Sequence, residues 1–272
     1  MLTFLAVSCG QRQPKTAEDN NVSLKFETFD VENFEKHPKG TGENDGLSYK
    51  INFVYPSEYS DPAVLEKLQK KFIRYTLGEE YIPQAVNEVE LKKAVDACIA
   101  VWKQAYYDNM EELQNANSDP DMVIGWHIEY SNVLPFMNET LLQLQTKNGL
   151  YPSGAHVFES SSCHLFNLQT GDEYSRDDVF KPEAAGAIRQ LIIPELIKQW
   201  GEDMEFDRNK VWTAETNFAL TGEGLFIVYN ADDLDAFTVG CTSLTLPYEK
   251  ITPYLREGTP VWEAVKQLRI RN

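Results

Sequence analysis

The residue in this chain best placed by type and spacing to do chemistry is His156. It follows Ser153, Gly154 and Ala155 in a glycine-containing turn, where an imidazole could serve as base or ligand. A hydrolytic triad would also need a nucleophile and an orienting carboxylate within hydrogen-bond reach, and sequence spacing alone does not bring Ser161 or Asp172 there. The plainer reading is that His156 bonds backbone at a strand start and holds the Gly154 turn. His164 could sit opposite on the same hairpin, but two histidines without a third ligand do not make a zinc site. His127 is expected to face solvent between Trp126 and Ile128. Asp232, Asp233 and Asp235 could offer clustered oxygens to calcium, yet the loop lacks the D-x-D-x-D-G rhythm that places successive ligands, so a solvated acidic loop is expected. Five tryptophans would suit a sugar groove, but three fall in amphipathic elements and read as core; Trp212 is left without an assignment. No catalytic residue, metal or cofactor is assigned, and the chain is read as non-enzymatic. A hydrolase centred on His156 is the alternative.

The elements that would carry these residues follow from periodicity. Val22 to Phe34 and Leu47 to Tyr55 read as strands, the second alternating Tyr49, Ile51, Phe53 and Tyr55 against polar positions. Asp61-Pro62 opens a helix that runs to Gly78, and a second spans about Pro83 to Asn109. Met122 to Val133 returns to strand, and Leu141 to Lys147 leads into Asn148-Gly149, which reads as a hairpin turn. Strands are expected at Cys163 to Leu168, Asn217 to Leu220, Leu225 to Asn230 and Ser243 to Tyr248, with helices from Ala184 to Trp200 and Thr259 to Arg269. Strands joined by tight turns and helices in runs predict an α+β protein with antiparallel sheets and packed helices.

Composition narrows the class of function. Twenty-five basic against 42 acidic residues give a net charge of −17, which repels phosphate backbones and excludes nucleic acid as a natural partner. The 272 residues, 42% hydrophobic, suffice for a sizeable core, and no stretch reaches the roughly 18 uninterrupted apolar residues of a spanning helix. A monomer is expected. Of the cysteines, Cys98 lies on a helical apolar face and reads as a buried thiol, whereas Cys163 and Cys241 fall in strand-like segments and could form a disulfide in an oxidising compartment.

Leu5-Ala6-Val7-Ser8-Cys9-Gly10 resembles a bacterial lipobox, with small residues before the cysteine and glycine after it. The resemblance implies diacylation of Cys9, which would become the first mature residue and anchor the chain to a membrane. Eight residues precede Cys9 and none is basic, so the basic region of an export signal is expected upstream of Met1. Gln11 to Asn21 is almost devoid of apolar residues and suits a tether between anchor and folded body. The implied address is the cell envelope, facing the periplasm or the outer membrane.

Five ordered blocks carry a second resemblance. Tyr151-Pro152-Ser153-Gly154-Ala155-His156, Phe166-Asn167-Leu168-Gln169-Thr170-Gly171 and Asp177-Asp178-Val179-Phe180 are similar to the "Y-x-G-G-A-H", "F-D-L-x-T-G" and "D-L-F" blocks of the domain of unknown function 3298. Asn217 to Leu225 is similar to its "N-F-x-L-T-x-E-G-L" hairpin, and Leu244 to Tyr248 to its "V-x-I-P-Y" strand. Val22 to Leu150 resembles the 4163-type region that precedes this domain. The expected organisation is therefore a signal remnant (1–9), a tether (10–21), a 4163-like region (22–150) and a 3298-like region (151–272) forming one unit. Relatives include the ectodomains of RsiV-type anti-sigma factors, which bind lysozyme, and a non-catalytic part of a peptidoglycan deacetylase. The resemblance implies a binding module for a lysozyme-like protein or for wall glycan, with aspartates at 232, 233 and 235 where the family carries an exposed aromatic and proline.

Overall fold

Two sheets share the chain, one of five strands and one of three. The structure is a computed structural model that describes residues 24–116, 122–152, 158–231, 233–235 and 240–271, without the side chains of 269–271.

Strands β1 (Lys25–Lys36) and β2 (Gly46–Glu58) form an antiparallel pair. Helix α1 (Pro62–Thr76) starts where Asp61 accepts hydrogen bonds from the Ala63 and Val64 amides, with Pro62 in the first turn, as its sequence predicts. Helix α2 (Glu88–Ala116) begins later than expected, at a turn in which Asn87 Oδ1 accepts from the Glu90 amide. The chain then returns as β3 (Trp126–Met137), β4 (Leu141–Pro152) and β5 (Phe158–Asn167), giving a sheet ordered β1-β2-β3-β4-β5.

Two sequence expectations need correction. The α+β class holds, but β2 and β3 pair in parallel, from Leu47 opposite Trp126 to Asn52 opposite Ser131, so the large sheet is mixed. Asn148-Gly149 is no turn. Both residues lie inside β4, where Gly149 stands opposite Glu129 on one side and Glu159 on the other. The glycine serves a close approach instead: a Cβ there would fall 2.6 Å from Tyr151 Cε2. Residues 150 and 151, where the 4163-like and 3298-like regions meet, lie together in β4.

After β5 come α3 (Arg176–Val179), α4 (Ala185–Trp200), the antiparallel strands β6 (Asn217–Leu220), β7 (Gly224–Tyr229) and β8 (Thr242–Pro247), then α5 (Tyr248–Ile251) and α6 (Pro260–Arg271). A capping box between Ser175 and Asp178 fixes α3. Helices α1 and α2 cover one face of the large sheet through residues such as Leu68, Phe72, Val95 and Tyr106. The opposite face buries Leu141 and Leu165 against Ile188, Ile192, Trp212, Leu225 and Val265 of the C-terminal elements. Each such side chain contributes roughly 1.5–3 kcal/mol by leaving water.

Polar side chains bolt the two sheets together. Asn230 Oδ1 accepts from the Ser161 amide and Asn217 Oδ1 from the Cys163 amide, satisfying groups on the outer edge of β5. Gln143, fully buried, donates to the His164 carbonyl and accepts from the Leu220 amide.

Candidate functional site

On the α1-facing side of β5, the alternation of the strand puts Ser162, His164 and Phe166 in one row. His164 sits on β5 beside the C-terminal end of α1, where the Tyr75 ring stacks on its imidazole at a centroid distance of 3.4 Å and an angle of 12°. His164 Nδ1 lies 2.7 Å from Glu173 Oε1, and its Nε2 lies 2.8 Å from Ser162 Oγ. Glu173 is held by a bridge between its backbone and Phe166, by the Tyr75 hydroxyl donating to Oε2 at 2.5 Å, and by Lys71 at 3.7 Å. Thr146, directly opposite Ser162 on β4, places its hydroxyl 2.7 Å from Ser162 Oγ.

These contacts fix the direction of each proton. An ionised carboxylate only accepts, so in the neutral imidazole Nδ1 donates to Glu173 and Nε2 is left to accept from the Ser162 hydroxyl. Thr146 can then donate to Ser162. The result is a serine–imidazole–carboxylate relay with an added tyrosine. Burial pushes the Glu173 carboxyl up, but hydrogen bonds from His164 and Tyr75 and the charge of Lys71 outweigh it and hold the group below the usual range. Burial, and after it the same carboxylate, raise the Tyr75 hydroxyl far above its ordinary value. A carboxyl depressed in the fold stabilises it above the unfolded value and ceases to do so as pH falls through the folded one. Stability is therefore expected to decline below about pH 4, and Glu173→Gln is expected to flatten that acid limb in denaturation curves taken across pH.

A second feature lies on the C-terminal half. The segment after α4 and the turn at 233–235 enclose an open concavity of about 790 Å³, lined by Glu202, Asp203, Glu205, Asp207 and Asp235 with Arg208 as the one basic residue. Trp200 anchors it through an edge-to-face contact with Phe206, and the Asp207 amide donates to the Leu234 carbonyl. Asp235 pairs with Lys210 at 2.7 Å and adopts φ 58°, while Asp233 accepts from the Asn230 amide at 2.8 Å. Asp233 lines a smaller, separate concavity with Lys210, Thr216 and Tyr229.

Of the residues singled out by sequence, Cys9, Ser153, Gly154, Ala155, His156 and Asp232 lie outside the described residues. Asp233 and Asp235 are exposed and adjoin different concavities. No group of three or more His, Cys, Asp or Glu side chains positioned to hold a metal occurs among the described residues. His127 does not face open solvent: it is half-buried, with Nδ1 2.8 Å from Ser48 Oγ. Trp212 is core, 1% exposed.

The Cys163–Cys241 bridge that the sequence allows is not formed, and both thiols are free. Cys241 Sγ instead donates to the Glu159 carbonyl at 3.1 Å. Glu159 precedes Cys163 by four residues of extended strand, a distance of about 13 Å, whereas a bridge needs Cα atoms within about 7 Å. Burial pushes the Cys163 thiol up to about 12 and that of Cys98 up to about 11, so neither is a ready nucleophile.

Sequence reasoning considered Ser161 and Asp172, each next to a residue that the fold uses. Ser162, Glu173 and Tyr75 were missed, and so were the acids at 202–207.

Fold and site together define an acidic α+β protein in which a mixed five-stranded sheet and a three-stranded antiparallel sheet are joined by polar side chains. Residues 177–249 match the model of the family described as "Protein of unknown function (DUF3298)", so this part of the chain is a DUF3298 domain. The match takes in three of the five blocks, from Asp177 through the β6–β7 hairpin to Tyr248. The crystal structure of a DUF3298 family member from Bacteroides fragilis is similar at 20% identity and a TM-score of 0.71, covering 92% of this chain and 100% of that one. Another, a DUF3298 family protein from Pseudomonas aeruginosa, gives 15% identity and a TM-score of 0.49 over 86% of this chain and 95% of its own. At such identities the likeness to the first is one of fold. No curated protein matches.

Proposed function

We propose that this chain is a binding module of the cell envelope, held to a membrane through Cys9, that captures a basic cell-wall-active protein of the lysozyme kind, with wall glycan as the other candidate ligand. The observation that carries the reading is the acidic concavity at 202–207 and 235, on a chain with a net charge of −17. Opposite charge raises encounter rates and orients the incoming protein without any chemical step. The lipobox-like segment and the resemblance to RsiV-type ectodomains with a 4163-like region support the same reading, which requires no catalysis.

Calorimetry of the full chain with a basic lysozyme tests it. A complex is expected at low ionic strength and should weaken as salt is added, because exposed charges are screened within about 10 Å at 0.1 M. Reversing Glu202 and Glu205 to lysine should lower the association rate roughly tenfold while leaving thermal stability unchanged. Absence of a complex at low ionic strength removes this ligand.

A further inference from the structure

We propose that Ser162 is an activated nucleophile and that the chain hydrolyses small carboxylic esters at the edge of the large sheet. This goes beyond the binding reading and does not rest on it. The inference stands on the convergence of four segments, namely α1, β4, β5 and the turn after β5, on one serine. Ser162 Oγ has its base at 2.8 Å, that base has its carboxylate at 2.7 Å, and the carboxylate is fixed by Tyr75 on its other oxygen. A histidine held by stacking and by two hydrogen bonds has one orientation and one tautomer, which is what general-base activation of a serine needs.

Access to the relay can also be located. His164 is nearly buried, its side chain 11% exposed, whereas Ser162 is half-buried and the next residues in its row, Ser160 and Phe158, are exposed, Phe158 at 62%. The relay thus opens toward solvent along β5 beyond Ser162. The hydroxyl of Thr146, 2% exposed, donates to Ser162 Oγ and holds it toward His164, and the Asn148 side chain lies opposite Ser160 on the same face.

The steps balance without a further reagent. Ser162 Oγ bonds to the ester carbonyl carbon as its proton passes to His164 Nε2. The carbon–alkoxide bond breaks and the alcohol leaves with that proton. Water then attacks the acyl group and gives a proton to Nε2, and the bond to Oγ breaks as Ser162 regains the proton. One ester and one water yield one acid and one alcohol. Glu173 and Tyr75 act as positioning residues.

The test is covalent labelling of the full chain with a fluorophosphonate, in which an Oγ–P bond forms and fluoride leaves, read by intact mass and peptide mapping and paired with turnover of p-nitrophenyl acetate. One adduct at Ser162 is expected. It should be absent in Ser162→Ala, and roughly a hundredfold slower in His164→Gln, with melting curves showing that both variants are folded. Glu173→Gln keeps an oxygen acceptor without the charge; its labelling rate should fall and the pH profile of labelling should shift, neither of which a purely structural glutamate would cause. A folded protein that stays unlabelled at Ser162, labelling on Ser160 or Ser161 instead, or an unchanged rate in His164→Gln would overturn the proposal. Lysozyme binding would be unaffected by any of these results.

Discussion

Trp212→Ala is expected to lower the free energy of unfolding by about 3–5 kcal/mol, measured by urea denaturation. The indole is 1% exposed at the centre of the C-terminal core. It meets Phe180 edge-to-face at 5.2 Å and lies 6.0 Å from Phe218. Removing it leaves a cavity between α4 and the three-stranded sheet that neighbours of this size cannot refill. Its Nε1 is buried with no hydrogen-bond partner, and such an orphan costs about 1–3 kcal/mol. Trp212→Phe should therefore cost far less than the alanine change, because the relief of that donor offsets part of the lost ring. Equal damage from the two substitutions would mean that the nitrogen is satisfied in solution.

The second large effect is expected at Gln143. Gln143→Leu preserves most of the volume, so what it removes is the pair of hydrogen bonds to the His164 carbonyl and the Leu220 amide. Leaving those groups buried and unmet should cost about 2–4 kcal/mol. The loss should also be visible as faster amide exchange in β6, since Leu220 loses its acceptor. If exchange accelerates only in β4, the junction between the sheets is held elsewhere.

Local chemistry made part of the fold legible from sequence. Asp61-Pro62 announced α1, because a capping carboxylate and a proline at the first helical turn depend on neighbours alone. The β6–β7 hairpin was readable for the same reason, with Gly224 required where a Cβ would lie 2.2 Å from the Leu246 carbonyl. Asn148-Gly149 misled because its meaning depends on what lies alongside: flanked by β3 and β5, the pair extends a strand, and Tyr151 occupies the space that a side chain would take.

The relay was hidden by phase. Ser162 and His164, two apart on one strand, share a face in any register, but which face that is, and so what meets it, is set by strand parity. Parity is ordinarily read from an apolar face set against a polar one, but Leu165 and Phe166 are both buried, on opposite faces, so β5 shows no such contrast. Glu173 and Tyr75 stand 9 and 98 residues apart from their respective partners in the network, His164 and Glu173, and no local pattern joins them. The disulfide failed similarly: two cysteines in strands carry no information about offset along those strands.

The parallel pairing of β2 with β3 bears on how the molecule comes to exist. A hairpin can zip from its turn, but these two strands meet only after residues 59–125 have been made and folded back. Joining segments so remote slows maturation relative to a chain of nearest-neighbour hairpins of the same size. During that interval the β1–β2 ribbon presents Leu47, Ile51 and Phe53, all at most 1% exposed at the end, to whatever surrounds it. The newborn polypeptide thus passes through an adhesive adolescence, when a chaperone would matter most.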